Sequence, residues 1–324
     1  MDHLHVGRSF GPIAKDSRPV HESVTFDALF FGGMTTRSFL PSFVAQITLL
    51  TSCAVQPDKQ AAAEKQTITI KGSDTMVQLG QRWAETYMKD HPNVTIQVTA
   101  GGSGTGIAAL INGMTQICQA SRPMKAEEKA SVKQQRNADA VETPVALDAL
   151  AVYLNNQNPV AHLTIEQTGR IFRGETRNWK EVGGANAPIV LYGRENSSGT
   201  YVYFKEHVLA NADFATAYQP LPGTGAVINA VKKDVSGIGY GGIGYATDVK
   251  TISIAKDATA QPVAPSMDNV YNNSYPLSRQ LFWYTAGAPA GAIKDFVDWV
   301  LGPRGQKIVS EVGFYPLQSA KPAQ

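Results

Sequence analysis

The 324-residue chain is longer than a typical single hydrophobic core, which suggests two domains. Its formal net charge of +2 argues against the strongly basic surface that nucleic-acid-binding proteins present. A hydrophobic content of 43% together with 29 glycines and 18 prolines suits a globular α/β protein with many turns.

The N-terminal segment has the composition of a targeting sequence rather than of a folded domain. Residues 1–33 show no structural pattern, and we interpret them as a wrongly assigned start or a disordered extension. Residues 34–52 combine an arginine, a short apolar run and small residues, as a lipoprotein signal peptide does. Leu50–Cys53 resembles a bacterial lipobox, so Cys53 is predicted to carry a lipid, or else to be an incidental thiol. Residues 53–66 are predicted to form a flexible tether.

The first part of the folded region is predicted to run strand, turn, helix, strand. The alternating segment Thr67–Ile70 predicts a strand, the periodic segment from Val77 to Asp90 a helix, and Val94–Thr99 a second strand. The turn between the first two, Lys71–Met76, contains Ser73, Asp74 and Thr75. Free backbone N–H groups and hydroxyls at a helix N-terminus favour an anion. Thr75 and Gln78 also have the spacing of a capping box, the ordinary structural alternative.

A second small polar turn follows, Gly101–Gly106, which contains Ser103. Its glycines allow close approach of the backbone, and a helix is predicted from about Ile107 to Asn112. The turn is not a Walker A loop, because no Gly-Lys-Ser/Thr follows. The short strand Ile117–Ala120, which contains a cysteine predicted to be buried and inert, then leads to Arg122. Open α/β sheets bind ligands at such strand ends.

The third turn is the most charged. The apolar segment Val145–Leu154 predicts a strand that crosses between two domains. After a further strand, Ile189–Tyr192, the chain reads Gly193–Thr200, with Arg194 before Ser198, Gly199 and Thr200 at the start of a helix. Arginine offers bidentate hydrogen bonds to a tetrahedral oxyanion.

Catalytic and cofactor motifs are weak. Gly237–Gly242 matches GxGxxG, but no helix pattern follows it, so a dinucleotide site is not expected. The six histidines show no ligand spacing, no metal or cofactor is predicted, and no general base accompanies the serines. A strand is predicted at 275–284, and helices are predicted at 292–301 and 303–312.

The chemistry that remains is anion binding. Hydrogen-bond donors dominate the three turns, and Asp74 is the one carboxylate among them. Phosphate near neutral pH still carries a proton that a carboxylate can accept, whereas sulfate would be repelled. The alternative is that Asp74 only complements the helix dipole.

These motifs resemble the phosphate-binding proteins of bacterial phosphate ABC transporters, the PstS-like periplasmic binding proteins. The likeness covers nearly all of residues 67–317, and its most specific part is Arg194-x-x-x-Ser198-Gly199-Thr200. The motifs that carry it are Gly72–Met76, Gly101–Gly106, Ala120–Pro123, Gly193–Thr200 and Gly237–Tyr240. By resemblance, the phosphate-binding residues are predicted to be Ser73, Asp74, Thr75, Ser103, Arg122, Arg194, Ser198, Gly199 and Thr200.

One position departs from the family pattern. Many members have an aspartate in the third loop that accepts the phosphate proton, and here that position is Arg122. We therefore hypothesise that Asp74 takes the proton-accepting role and that Arg122 pairs with Asp74 or with phosphate directly.

The resemblance implies an α/β fold, a two-lobed type II periplasmic binding protein with mixed sheets and a hinge. Lobe I is predicted at 67–144 plus 252–317, lobe II at 145–251, and a C-terminal tail at 318–324. The implied function is a periplasmic or cell-surface receptor, not an enzyme, that delivers phosphate to ABC permease subunits in the inner membrane. It would be a monomer that contacts the membrane through its lipid anchor only.

Three alternatives stay open. The ligand could be sulfate, molybdate or another oxyanion, as the Arg122 departure suggests. The protein could be a surface phosphatase that uses Ser73, Ser103 or Ser198 as nucleophile. It could also be an adhesin or a sensor component on a borrowed fold.

Overall fold

The computed structural model describes residues 65–318, so the extension, the signal peptide, most of the tether with Cys53, and most of the tail lie outside the described residues. Within this range a nine-stranded sheet has the order β2-β1-β3-β11-β4-β8-β6-β7, with β9 paired to β4, and β5 and β10 form a separate parallel pair. The strands are β1 Gln66–Gly72, β2 Val94–Thr99, β3 Ile117–Ala120, β4 Ala140–Leu154, β5 His162–Thr164, β6 Val190–Arg194, β7 Gln219–Leu221, β8 Gly237–Gly242, β9 Lys250–Thr251, β10 Ser253–Ala255 and β11 Ser278–Ala286.

Most of the helices begin close to the end of a strand, as the alternation of strand and helix patterns predicted. They are α1 Val77–Asp90, α2 Ser103–Ile111, α3 Ala126–Arg136, α4 Ile165–Phe172, α5 Gly199–His207, α6 Thr224–Lys233, α7 Met267–Tyr271, α8 Gly291–Leu301 and α9 Pro303–Glu311. None of the helices in residues 65–318 combines the length and apolar character needed to cross a bilayer.

The long strand β4 joins two halves of the sheet. Residues 140–149 of β4 pair antiparallel with β11, and residues 150–154 pair antiparallel with β8. On one side of this strand β1, β2 and β3 are parallel to one another, and on the other side β6 is parallel to both β7 and β8. The strand predicted at 145–154 is therefore confirmed, although it starts five residues earlier.

Apolar side chains form a core on each half. One cluster surrounds Trp83 and Trp283, whose rings meet edge to face at 5.3 Å, and a second surrounds Phe172 and Phe204 at 4.8 Å. The first cluster also includes Val227 on α6, a residue of the predicted lobe II. Apolar packing thus crosses the predicted lobe boundaries at 144/145 and 251/252. The division into two lobes at these positions stays a prediction.

The GxGxxG match at residues 237–242 lies in a strand. These residues form β8, which is followed by a short 3-10 turn, Ile243–Tyr245, in place of a helix. Cys118 is a buried free thiol in β3, and burial raises its pKa, as expected for an inert structural cysteine.

Candidate functional site

Four buried hydroxyls from separate segments meet at one point. We call Thr75, Ser103, Ser121 and Thr200 the hydroxyl cluster; each residue is fully buried. The side-chain oxygens of Thr75 and Thr200 lie 2.8 Å apart. Ser103 Oγ accepts the Ser121 backbone N–H at 3.0 Å, and Ser121 Oγ lies 3.4 Å from Thr200 Oγ1. The fold therefore brings the three polar turns together, although they are up to 125 residues apart in the chain.

The first turn differs from its prediction in one respect. Residues 74–76 form a 3-10 turn that leads into α1, and neither this turn nor α1 has a side-chain cap hydrogen bond. The capping box predicted for Thr75 and Gln78 is therefore wrong, because the Thr75 hydroxyl contacts Thr200 instead. Ser73 lies at the start of the turn, where its backbone N–H donates to the Gln119 carbonyl of β3 at 2.8 Å.

Glycines allow the second and third turns to touch. Helix α2 begins at Ser103, four residues before the predicted start, and the Gly104 N–H donates to the Ser197 carbonyl at 2.9 Å. Gly102 has a φ of 96°, and a Cβ there would lie 2.5 Å from the Ser197 carbonyl oxygen. A Cβ on Gly199 would lie 2.3 Å from Ser103 Oγ. Any side chain at these two glycines would force the turns apart.

Helix α5 directs its N-terminus at the cluster. Ser198 is the N-cap, and its hydroxyl accepts the N–H groups of Thr200 at 3.2 Å and Tyr201 at 3.4 Å. Helix α5 therefore starts at Gly199, within the Ser198–Thr200 segment that the sequence indicates as a helix start. The partial positive charge of the helix N-terminus lies next to the Thr200 side chain.

Arg194 binds Asp74 across the site. Its Nη2 donates to Asp74 Oδ2 at 2.7 Å, and its Nη1 donates to Thr224 Oγ1 at 2.7 Å. The arginine side chain is 2% exposed and that of Asp74 19%. Arg194 Nε has no hydrogen-bond partner among the described residues. Tyr245 donates to the Asp74 carbonyl at 2.8 Å, and burial followed by the Asp74 charge raises the pKa of this tyrosine.

Arg122 does not pair with Asp74, which corrects that part of the hypothesis. Both of its terminal nitrogens donate to Glu128 on α3, at 2.8 Å and 2.7 Å, and Nη1 also donates to the Pro123 carbonyl. Burial raises the pKa of Glu128, but the Arg122 hydrogen bonds and the Lys125 N–H outweigh it and hold that pKa below its usual value. The reason is local: Glu128 lies six residues away on the next helix, whereas Asp74 is already bound to Arg194.

A third buried arginine, Arg279, was not predicted from the sequence. It is the second residue of β11 and lies opposite Asp148 of β4, and the two side chains form an ion pair at 2.7 Å. Arg279 also donates to Thr200 Oγ1 at 3.1 Å and to the Ser121 carbonyl at 3.0 Å. Burial raises the pKa of Asp148, while the Arg279 charge and the Ile243 N–H oppose this rise. The sequence feature that could have pointed to such an arginine is Asp148, because an aspartate in a buried apolar strand requires a buried partner of opposite charge.

The site is rich in donors and its formal charges balance. Two ion pairs, Asp74–Arg194 and Asp148–Arg279, flank the hydroxyl cluster. The cluster hydroxyls contact one another, backbone groups and Arg279, so no described contact pairs them with an imidazole or carboxylate base. Hydroxyls, guanidinium groups and a helix N-terminus are the groups that bind small oxyanions by hydrogen bonds.

Comparison with known proteins agrees with this chemistry. The model of the PBP superfamily domain matches residues 57–304. The phosphate-binding protein PstS of Pseudomonas aeruginosa is 38% identical over 263 residues, covering 76% of this chain and 81% of the relative. The phosphate-binding protein PstS of Bacillus subtilis is 34% identical over 260 residues, covering 78% and 82%.

Solved structures show the same fold. A crystal structure from Clostridium perfringens, described as a phosphate ABC transporter substrate-binding protein with bound phosphate, has a TM-score of 0.70 at 30% identity and covers 78% of this chain and 100% of that one. An ABC-type phosphate transport receptor from Vibrio cholerae has a TM-score of 0.63 at 28% identity and covers 77% and 100%. The chain therefore belongs to the PBP superfamily, as a PstS-like phosphate-binding protein with the two-lobed periplasmic fold.

Proposed function

We propose that this protein captures inorganic phosphate at the hydroxyl cluster and delivers it to an ABC permease. The observation that carries the proposal is the convergence of three polar turns on Thr200, in the first turn of α5, and on Arg194, the last residue of β6. The turns supply hydroxyl and backbone donors, and Arg194 supplies a buried positive charge. The relatives named PstS and the phosphate-bound C. perfringens structure support phosphate as the ligand.

Nine residues are proposed to form the phosphate site. Eight of them lie in the three polar turns, counting Arg194, the last residue of the strand that leads into the third turn: Ser73, Asp74, Thr75, Ser103, Arg194, Ser198, Gly199 and Thr200. Arg122 is the ninth, and its ion pair with Glu128 leaves it the weakest member, because its terminal nitrogens already have acceptors. Its Nε, which has no partner among the described residues, is the group left to donate to phosphate.

Asp74 is proposed to select phosphate over sulfate. One carboxylate oxygen accepts from Arg194, and the second is left to accept the proton of hydrogen phosphate. Sulfate has no proton to donate at neutral pH, so its approach to the carboxylate would be repulsive. Arg194 holds the Asp74 side chain in place for this role through their hydrogen bond at 2.7 Å.

The remaining parts of the proposal concern the cell. The lipobox-like Leu50–Cys53 supports a lipid anchor on Cys53 and a periplasmic or cell-surface location for the folded region. Closure of two lobes on the anion would present the loaded form to the permease. We propose a monomeric transport receptor rather than an enzyme.

Isothermal titration with phosphate near pH 7, alone and with excess sulfate, tests this function. The purified protein is first unfolded, dialysed and refolded, so that carried-over phosphate is removed. We expect binding of about micromolar affinity or tighter that sulfate does not weaken. An absence of phosphate binding would refute the proposal, and equal competition by sulfate would indicate a different oxyanion.

A further inference from the structure

Arg279 forms hydrogen bonds to three separate segments of the chain beside the hydroxyl cluster. Its side chain is 2% exposed, and Nε and Nη2 both contact Asp148, at 2.9 Å and 2.7 Å. The remaining donors reach Ser121 on one side and Thr200 on the other. The guanidinium therefore connects β4, the end of β3 and the first turn of α5.

Helix α5 is held to β11 by the same arginine in a second way. The Arg279 guanidinium lies over the Tyr203 ring, 5.4 Å from its centroid, and the Tyr203 hydroxyl donates to the Ser278 carbonyl at 2.8 Å. Thr200 and Tyr203 are three residues apart and so lie on one face of the helix. Arg279 thus contacts α5 on the face that carries the Thr200 hydroxyl.

The hydrogen bond from Arg279 to Thr200 has a definite direction. A guanidinium has only donors, so Thr200 Oγ1 must be the acceptor in this pair. Once that oxygen accepts from Arg279, the Thr200 proton points elsewhere: toward Thr75 at 2.8 Å, toward Ser121 Oγ at 3.4 Å, or toward an anion bound at the cluster. Asp148, paired with Arg279 across two antiparallel strands, fixes the guanidinium in this orientation.

We propose that Arg279, held by Asp148, is a positioning residue that orients the Thr200 hydroxyl as a hydrogen-bond donor to phosphate. This inference rests on the proposed function. Arg279 acts through Thr200, since each of its terminal nitrogens already has a protein acceptor.

The test is a double-mutant cycle on phosphate affinity. The paired substitution D148N/R279Q removes the orienting arginine without leaving an unpaired buried charge. T200V removes the hydroxyl that it orients. We expect D148N/R279Q to weaken phosphate binding about tenfold in the wild-type background and less than about twofold in the T200V background.

A purely structural role would give a different result. If D148N/R279Q only loosened the fold, it would weaken binding by the same factor in both backgrounds, and this outcome would overturn the inference, as would unchanged affinity in the wild-type background. Y203F is the matched control, because it removes the other link between α5 and β11 and should combine additively with T200V.

Two further outcomes are distinguishable. If the wild type binds no phosphate, the proposed function fails and this inference fails with it. If D148N/R279Q does not fold, as judged by urea unfolding, the cycle is repeated with R279K. Lysine keeps the charge but lacks the planar fork, so the same coupling with T200V is expected, and additive losses would again refute the inference.

Discussion

Replacement of Asp74 by asparagine gives the sharpest test of ligand choice. The substitution has two effects, which oppose each other in the binding of phosphate and which both strengthen the binding of sulfate. D74N replaces the charged acceptor of the phosphate proton with a neutral amide oxygen, and so loses a charge-assisted hydrogen bond that contributes about 1.5–3 kcal/mol. It also releases Arg194 from its ion pair at 2.7 Å, so that the guanidinium becomes a stronger donor to any anion.

For sulfate both consequences are favourable. The repulsion from the carboxylate disappears, and the freed arginine attracts the dianion. We therefore expect the affinity for phosphate to fall only moderately while that for sulfate rises, so that the phosphate-to-sulfate ratio falls by about tenfold or more. The ratio is the decisive quantity, because the Arg194 effect is shared by both anions and largely cancels in it.

The assay is competitive titration of both anions at pH 7 and constant ionic strength, since exposed charges are screened by salt. D234N is the matched control: Asp234 directly follows the last residue of α6 and accepts hydrogen bonds from Tyr192 at 3.0 Å and the Ser236 N–H at 2.9 Å. This variant loses the same charge and should keep the wild-type ratio. A wild-type ratio in D74N as well would show that Asp74 does not discriminate between the anions.

The other predictions concern single contacts. R194A should weaken phosphate binding by about 2–5 kcal/mol in titration, the effect of truncating one partner of a buried ion pair, and a loss below about threefold would remove Arg194 from the site. G199A should weaken phosphate binding more than about tenfold, because its Cβ would meet Ser103 Oγ at 2.3 Å, whereas G225A, with nothing within 4 Å, should bind as the wild type does. E128Q should lower the free energy of unfolding at neutral pH by about 1–3 kcal/mol. Arg122 and the Lys125 N–H lower the pKa of Glu128 in the folded protein. The stability that Glu128 contributes is therefore fully present above its unfolded pKa of about 4.3 and is lost as the pH falls through its folded pKa. Urea unfolding at several pH values should show the free energies of unfolding of the wild type and E128Q converging in acid.

Local patterns in the sequence were sufficient for the elements that carry the site. The alternation in β2 and the periodicity of α1 predicted these two elements to the residue, and β1 extends the predicted Thr67–Ile70 by one residue before and two after. The Ser/Gly/Thr turns were recognised as helix starts because small polar residues there have a local physical role. Thr164 and Gln167 of α4 form a capping box with hydrogen bonds of 2.8 Å and 3.0 Å, a contact that depends only on residues three positions apart.

Side-chain partners were harder to predict, because one residue type fits several local and distant contacts. Thr75 has the spacing of a cap to Gln78, yet its hydroxyl contacts Thr200. Arg122 follows a strand toward the site, yet Glu128 on the next helix takes its guanidinium. Each choice depends on distances that sequence spacing does not contain.

The sequence by itself determined the anion-binding turns, the strand that holds Asp148, and the resemblance to the phosphate-binding family, since each rests on one or more motifs that span about ten positions or fewer. Only the tertiary structure decided which charges pair. Arg279 meets Asp148 because β11 returns antiparallel beside β4 from 131 residues away, and Asp74 meets Arg194 across 120 residues. Buried charges must find partners, but which partner is reached depends on how the strands are ordered in the sheet.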